Sequence, residues 1–333
     1  MNGNKTRISI ITVNYNQLDL TCALLDSIRR VNYPNCEIWV VDNASKENPE
    51  AHLKAHYPEV NVIVSPDNLG FAGGNNLAVQ KCTGDYLFFI NNDAELTEGC
   101  LEKLLHLFQK NDNLGIVSPL ICYYPSEETN FKDIIQYAGT TPVSNFTARN
   151  KTLSEGELFS QQFDKARPTA YTHGAAMMIS RQALQDAGMM YEDFFLYYEE
   201  LDWCEQIRKA GYEIMVEPRA YIYHKESVSV GKASPLKTYY INRNRILFMR
   251  RNRSSLQVAV FSLFLLFFTI PKNMLTHIIK GEWAHVKAFS RAIWWNISHP
   301  GAGKIVKNEL TNTALVSNTN KTTTNQLYKE LNR

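Results

Sequence analysis

The sequence predicts an α/β fold in which a mostly parallel sheet is flanked by helices. A helical extension of different character follows it. Three observations carry this expectation. Short, continuously apolar, β-branched runs recur through the first third, as strands buried on both faces require. Segments with apolar residues at helical spacing alternate with them. Several of the runs end in polar residues, and in such sheets ligands sit beyond the carboxyl ends of the strands.

The elements follow in order. ISIITV (8–13) is the first strand and LDLTCALLDSIRRV (18–31) the first helix, with Leu20, Leu24, Leu25 and Ile28 on one face. CEIWVVD (36–42) is a strand ending in Asp42, a helix is expected near 47–56, and NVIVS (61–65) is a third strand. NLAVQKC (76–82) opens a helix, DYLFFIN (85–91) is a strand, LEKLLHLFQK (101–110) a helix and LGIVSPLI (114–121) a strand. Helices between strands imply right-handed crossovers and a parallel sheet. Residues 123–168, rich in Ser, Thr, Asn and turn formers, read as an irregular insertion or flap over the site. Beyond it come a short strand (AAMMIS), a helix (RQALQDAG), a second helix ending at Gly211, and a strand pair reaching His224.

Bulk properties narrow the function. The 333 residues suffice for one large domain or two modest ones, and 44% hydrophobic with 20% charged is ordinary globular composition. A net charge of +2 argues against nucleic acid or any other bulk polyanion as partner. Six scattered cysteines with no C-x-x-C pair suit reduced thiols in the cytosol. The N-terminus turns polar by Asn14, so no h-region of signal-peptide length is expected there. No internal repeats are found.

Four stretches can carry chemistry. In DNLGFAGGNN (67–76), Gly70, Gly73 and Gly74 allow close backbone approach to a ligand before a helix N-terminus, or simply a tight turn into that helix. FFINNDAEL (88–96) ends a buried strand in Asn91, Asn92 and Asp93. Asp93 there suits a divalent cation whose other oxygens come from a diphosphate, or equally a turn cap. FFLYYEELDW (194–203) crowds Glu199, Glu200 and Asp202 behind an aromatic run. These acids suit either the first turn of a helix, through its dipole, or a general base with a tuned pKa. His224, ending YIYH, becomes a ligand candidate only if the fold brings it to Asp93.

Together ISIITVNYN, VVDNAS, NLGFAGGNN, FINNDAEL, HGAAMMISR, FFLYYEELDWCEQIRKAGY and YYINRNR resemble family 2 glycosyltransferases, in the family's order, over about residues 7 to 250. The rhamnosyltransferase-like subgroup is the nearest match. The resemblance implies the GT-A fold, with a Rossmann-like sheet, and an inverting, metal-dependent transfer from a nucleotide-sugar. By position it assigns Thr12, Asn14 and Asp42 to the nucleoside pocket, with Tyr15 and Asn92 among the donor-binding strand ends. Asn68, Gly70, Phe71 and Gly74 match a donor-lining loop. Asn91 and Asp93 stand at the D-x-D metal motif, with Asn in the first place, and His224 matches a histidine completing the metal site. Glu199 and Glu200 match the acidic pair whose second member is the base, and Asp202 an acid supporting it. Tyr191 replaces the Asp usual in the family's F-D-E segment.

The resemblance further implies dTDP-L-rhamnose as donor, Mg²⁺ or Mn²⁺ as cofactor, and a saccharide on a polyprenyl diphosphate as acceptor, at the cytoplasmic face of the membrane. A UDP-sugar donor is the nearer alternative; a non-catalytic nucleotide-binding membrane adaptor is the alternative from another class. The expected organisation is a catalytic domain over 1–235, a basic and apolar helical extension over 236–300, and a disordered tail over 301–333. Six cations lie in 237–253, and the apolar run 258–270 is shorter than the ~20 residues a spanning helix needs. The expectation is a membrane-associating extension lying on the surface, its cations attracted to anionic lipid by about 1 kcal/mol each. Packing on the catalytic domain or in a homodimer interface is the alternative, and a spanning helix through Pro271 is less favoured.

Overall fold

The computed structural model describes residues 6–125, 133–159, 164–225 and 234–303. The expected tail therefore lies, from 304 onward, outside the described residues. A ten-stranded mixed sheet forms the centre. Its first half is parallel: β3 (Val60–Ser65), β2 (Cys36–Asn43), β1 (Ile8–Asn14) and β4 (Tyr86–Ile90) lie side by side. Then β9 (Ala176–Ser180) runs antiparallel between β4 and β6 (Leu114–Tyr123). The long strand β10 (Glu213–His224) pairs in parallel with β6, and β5 (Ala94–Leu96) closes the edge antiparallel to β10.

Alternating side chains explain the layers. Ile8, Ile10 and Phe88 point into a core under α1 (Leu18–Val31), α2 (Glu50–His56) and α4 (Cys100–Lys110). Ile11 and Phe89 point to the other face, against α3 (Gly70–Val79), α5 (Arg181–Ala187), α6 (Glu199–Lys209) and α7 (Pro235–Asn252). Each such buried Ile or Phe contributes about 1.5–3 kcal/mol of transfer free energy.

Four expectations need correcting. The helix expected from 76 begins at Gly70, because Ala72, Gly73, Gly74 and Asn76 form its buried face, and glycine's low helix propensity yields to that packing. The described part of the insertion is more regular than expected: β7 (Ile135–Tyr137) pairs with β6, and Ile135, Tyr137, Val143 and Ala148 are buried. The strand pair before His224 is one strand, bent by a register shift between Glu217 and Tyr221.

The fourth concerns the extension. The cations of α7 are mostly spent inside the protein. Arg243 is 2% exposed and bonds backbone carbonyls; Arg251 pairs with Asp202 at 3.0 Å, and Arg253 with Glu205 at 2.9 Å. Arg250 reaches the carbonyls of His299, Pro300 and Ala302. They are not available to lipid. The apolar run is also longer than expected. α8 (Ser255–Phe264) continues through a π turn (Leu265–Thr269) into α9 (Ile270–Ile279), a 25-residue helix long and apolar enough to cross a membrane. The wide turn just before Pro271 absorbs the missing N–H and the ring. Phe261, Leu265 and Thr269 form its buried stripe, while Leu263, Leu266, Phe267, Phe268 and Leu275 are exposed. α10 (Trp283–Ser298) returns along α7.

Asp202, 1% exposed, takes Arg251 Nε at 3.0 Å and Asn252 Nδ2 at 2.5 Å, so it pins α6 to α7. Asp202→Ala leaves a buried guanidinium unpaired and should cost about 3 kcal/mol of unfolding free energy, measured by urea titration. Unchanged stability with lost activity would place Asp202 in the chemistry instead.

Candidate active site

A cleft of about 450 Å³ opens at the carboxyl ends of β1, β2 and β4. Tyr15, Asn68, Gly70, Phe71, Asn91, Asn92, Asp93, Glu199, Glu200 and His224 all line it. Residues more than a hundred positions apart are thus brought together.

Strand pairing makes the first half of the site. β4 ends at Ile90, and the turn through Asn91, Asn92 and Asp93 leads directly into β5. In the β5–β10 register Ala94 stands opposite His224. The imidazole Nε2 therefore lies 3.1 Å from Asp93 Oδ1 and 3.3 Å from Asn91 Nδ2. On its other side Nδ1 lies 2.8 Å from Gln136 Oε1, which orients the ring so that Nε2 turns to Asp93. An imidazole nitrogen and a carboxylate oxygen side by side at the cleft are a donor pair that fits Mg²⁺ or Mn²⁺. Among the described residues no larger cluster of His, Cys, Asp or Glu is gathered to ligate a metal. The remaining positions would fall to phosphate oxygens and water.

The second half comes from the aromatic run. A single turn of 3₁₀ helix (Glu192–Phe194) leads into Phe195, Tyr197 and Tyr198, which have φ of 62°, 70° and 76°. These left-handed conformations cost of order 1 kcal/mol or more each. They are held from outside. Asn244 Nδ2 lies 2.7–2.8 Å from the carbonyl oxygens of Phe194, Leu196 and Tyr197. Arg243 donates to the carbonyls of Asp193 and Phe194. The Phe195 carbonyl accepts from Phe71 N–H at 2.7 Å. A side chain on Gly70 would put its Cβ 2.0 Å from that oxygen. Gly70, which also lines the cleft, is therefore required for the close approach of the Phe195 backbone to the start of α3.

The constrained segment delivers Glu199 and Glu200 to the cleft at the start of α6. Burial, then the charge of Glu200, pushes the Glu199 carboxyl well above its ordinary value, and its Oε2 has no hydrogen-bond partner among the described residues. Burial likewise raises Glu200 to about 7, against opposing hydrogen bonds from the first-turn backbone. A carboxylate that titrates near neutrality is matched to general-base work at neutral pH.

Other expected residues lie elsewhere. Thr12, Asn14 and Asp42 sit behind the cleft wall, each 1% exposed. Asp42 accepts Asn14 Nδ2 at 2.8 Å and the Ser45 N–H at 3.1 Å, so both its oxygens are engaged. Gly74 faces Val13 and Asn43 inside the fold. Gln136, His173 and Lys237 are among the lining residues not singled out from the sequence. Gln136 comes from the stretch read as irregular. His173, beside His224 at 6.1 Å between rings, is pushed down to about 3 by burial and then by His224. Lys237 had been read only as one member of a basic run. The HGAA segment was a usable signal for His173; strand register alone reveals Gln136.

Residues 9–188 match Glycosyl transferase family 2, and the chain belongs to that family, with the GT-A fold. It is 27% identical over 72% of its length to the low-salt glycan biosynthesis hexosyltransferase Agl10 of Haloferax volcanii, covering 74% of that protein. It is 24% identical over 78% of its length to the dTDP-rhamnosyl transferase RfbF of Shigella flexneri, covering 84%. It is 21% identical over 68% to the N-acetylglucosaminyl-diphospho-decaprenol L-rhamnosyltransferase of Mycobacterium tuberculosis, covering 78%. Among solved structures, the mannosyltransferase PcManGT from Pyrobaculum calidifontis, in complex with GDP-Man and Mn²⁺, superposes with a TM-score of 0.54 at 16% identity. That alignment covers 91% of this chain and 77% of the other. The protein is a glycosyltransferase of family 2.

Both raised carboxyls make the folded chain hold protons that the unfolded chain releases. Their stabilisation is full below the ordinary value of 4.5 and is lost as pH rises through each raised value, about 7 for Glu200. Replacing both by Gln should therefore shrink the loss of unfolding free energy between about pH 5 and about pH 8, read by denaturant titration. The same loss in wild type and variant would remove the pair as its source.

Proposed function

We propose that this enzyme transfers L-rhamnose from dTDP-L-rhamnose, with inversion, to a saccharide carried on a polyprenyl diphosphate at the cytoplasmic face of the membrane. The observation that carries the reaction class is the pairing, in one cleft, of a carboxylate titrating near neutrality with the Asp93–His224 couple. Glu200 takes the proton from the acceptor hydroxyl. The hydroxyl oxygen then bonds to the anomeric carbon as the bond from that carbon to the nucleoside diphosphate breaks, which inverts the centre. One base suffices for a single displacement, whereas a retaining hydrolase needs two flanking carboxylates. Asp93 and His224 would hold Mg²⁺ or Mn²⁺, which when bound neutralises the departing diphosphate. Phe195 and Tyr197 supply the apolar wall for the sugar.

The rhamnosyl donor and lipid carrier draw support from relatives that are named for them. A peripheral position draws support from the apolar side chains exposed on α8 and α9, with Trp283 and Trp294 exposed on α10 as interface anchors. Lys272, Lys280 and Lys287, exposed along the same helices, take the part first expected of the α7 cations.

Transfer from dTDP-L-rhamnose and from a panel of UDP-sugars is the direct test. Glu200→Gln should lower kcat by about 10²-fold or more with donor affinity kept. The wild-type rate should rise with pH through about 7. Asp93→Ala and excess EDTA should each abolish transfer. Full activity in EDTA, or a larger loss in Glu199→Gln than in Glu200→Gln, would overturn these assignments.

Full-length protein should sediment with vesicles containing anionic phospholipid at low salt. Substituting Phe267 and Phe268 by Ser should release it. A wild-type protein that stays in the supernatant as a dimer would make the apolar face a subunit interface.

A further inference from the structure

We infer that Lys237 is a diphosphate-binding residue of the cleft, an inference that rests on the donor and acceptor proposed above. Among the described residues it is the one Lys or Arg lining the cleft, which also carries Asp93, Glu199 and Glu200. Its ammonium lies 5.9 Å from the centre of the Tyr197 ring and pairs with no carboxylate among the described residues. Other cations of the same helix and of its C-cap are engaged within the protein: Arg243 and Arg250 on carbonyls, Arg251 on Asp202, and Arg253, just past the helix end, on Glu205. A half-buried cation with no anionic partner, facing a cleft, calls for an anion from the ligand.

Position narrows the ligand. Lys237 sits in the first turn of α7, its N–H capped by Ser234 Oγ at 3.2 Å. The next residue, Thr238, contacts His285 of α10 at 2.8 Å. Lys237 therefore stands on the side of the cleft that adjoins the C-terminal helices, with the Tyr197 ring near its ammonium. Two diphosphates could reach it: that of the nucleotide donor, and that joining the acceptor saccharide to its lipid. The chemistry is the same for both, a charge-assisted hydrogen bond from the ammonium to a phosphate oxygen.

The test uses the full chain, with Lys237→Met to remove the charge and keep the stem, and Lys237→Arg to restore it. Calorimetric titrations with dTDP, UDP, thymidine and farnesyl diphosphate are run in Mg²⁺, with melting temperatures as a folding control. Lys237→Met should weaken at least one diphosphate probe by about tenfold or more. Thymidine affinity should be unchanged, and Lys237→Arg should recover most of the loss. Loss confined to dTDP and UDP assigns Lys237 to the donor, and loss confined to farnesyl diphosphate assigns it to the lipid carrier. If Lys237→Met binds every diphosphate probe as wild type does, the inference is overturned while the functional reading stands. If wild type binds none of them, the functional reading falls and the inference falls with it.

Discussion

The site depends on the grip of Arg243 and Asn244 on the backbone just before α6. A chain does not hold three non-glycine residues in left-handed conformations within four positions unless something outside the segment compensates. Here one buried amide meets three carbonyls and one buried guanidinium meets two more. Both donors are almost wholly desolvated, at 2% and 0% exposure, so leaving any of these bonds unmade would be expensive. The consequence is local and functional: the strained turn aims Glu199 and Glu200 at the cleft from the first turn of a helix.

The same grip ties the cleft to the C-terminal helices. Arg243 lies 4.7 Å from the centre of the Trp295 ring, and its carbonyl accepts Asn296 Nδ2 at 3.1 Å. Phe195 stacks on Tyr240 at 5.1 Å. α7 is thus a wall of the site on one side and the seat of α10 on the other. The helices proposed to rest on a lipid surface are thereby packed continuously with the segment that carries Glu199 and Glu200.

Electrostatics divides the cleft into two ends. At one, Asp93 and His224 meet across a strand register, oriented by Gln136. At the other, two carboxylates are kept from easy ionisation by burial, the larger influence on both, with mutual repulsion adding to Glu199. A reaction that expels a diphosphate and removes a hydroxyl proton needs these two environments close together but distinct.

Much of this was legible in the sequence. Strand and helix order follows from local periodicity, so β1, α1, β2, β4 and β6 stand within a few residues of where the pattern places them. The polar strand ends and the acid cluster were equally visible, because a carboxylate after a buried run is conspicuous wherever the chain later goes. Partnership was not legible. The meeting of Asp93 with His224 depends on which residue of β10 faces Ala94, and the role of Gln136 on where an irregular stretch packs. Whether Asp42, Asp202 or the arginines of α7 face a ligand or each other depends on long-range docking of α7. Composition could not separate a solvated basic helix from one whose cations are consumed inside. Periodicity is a property of neighbours along the chain, whereas register, ion-pair choice and desolvation arise only when distant segments pack. The tertiary structure alone decided those.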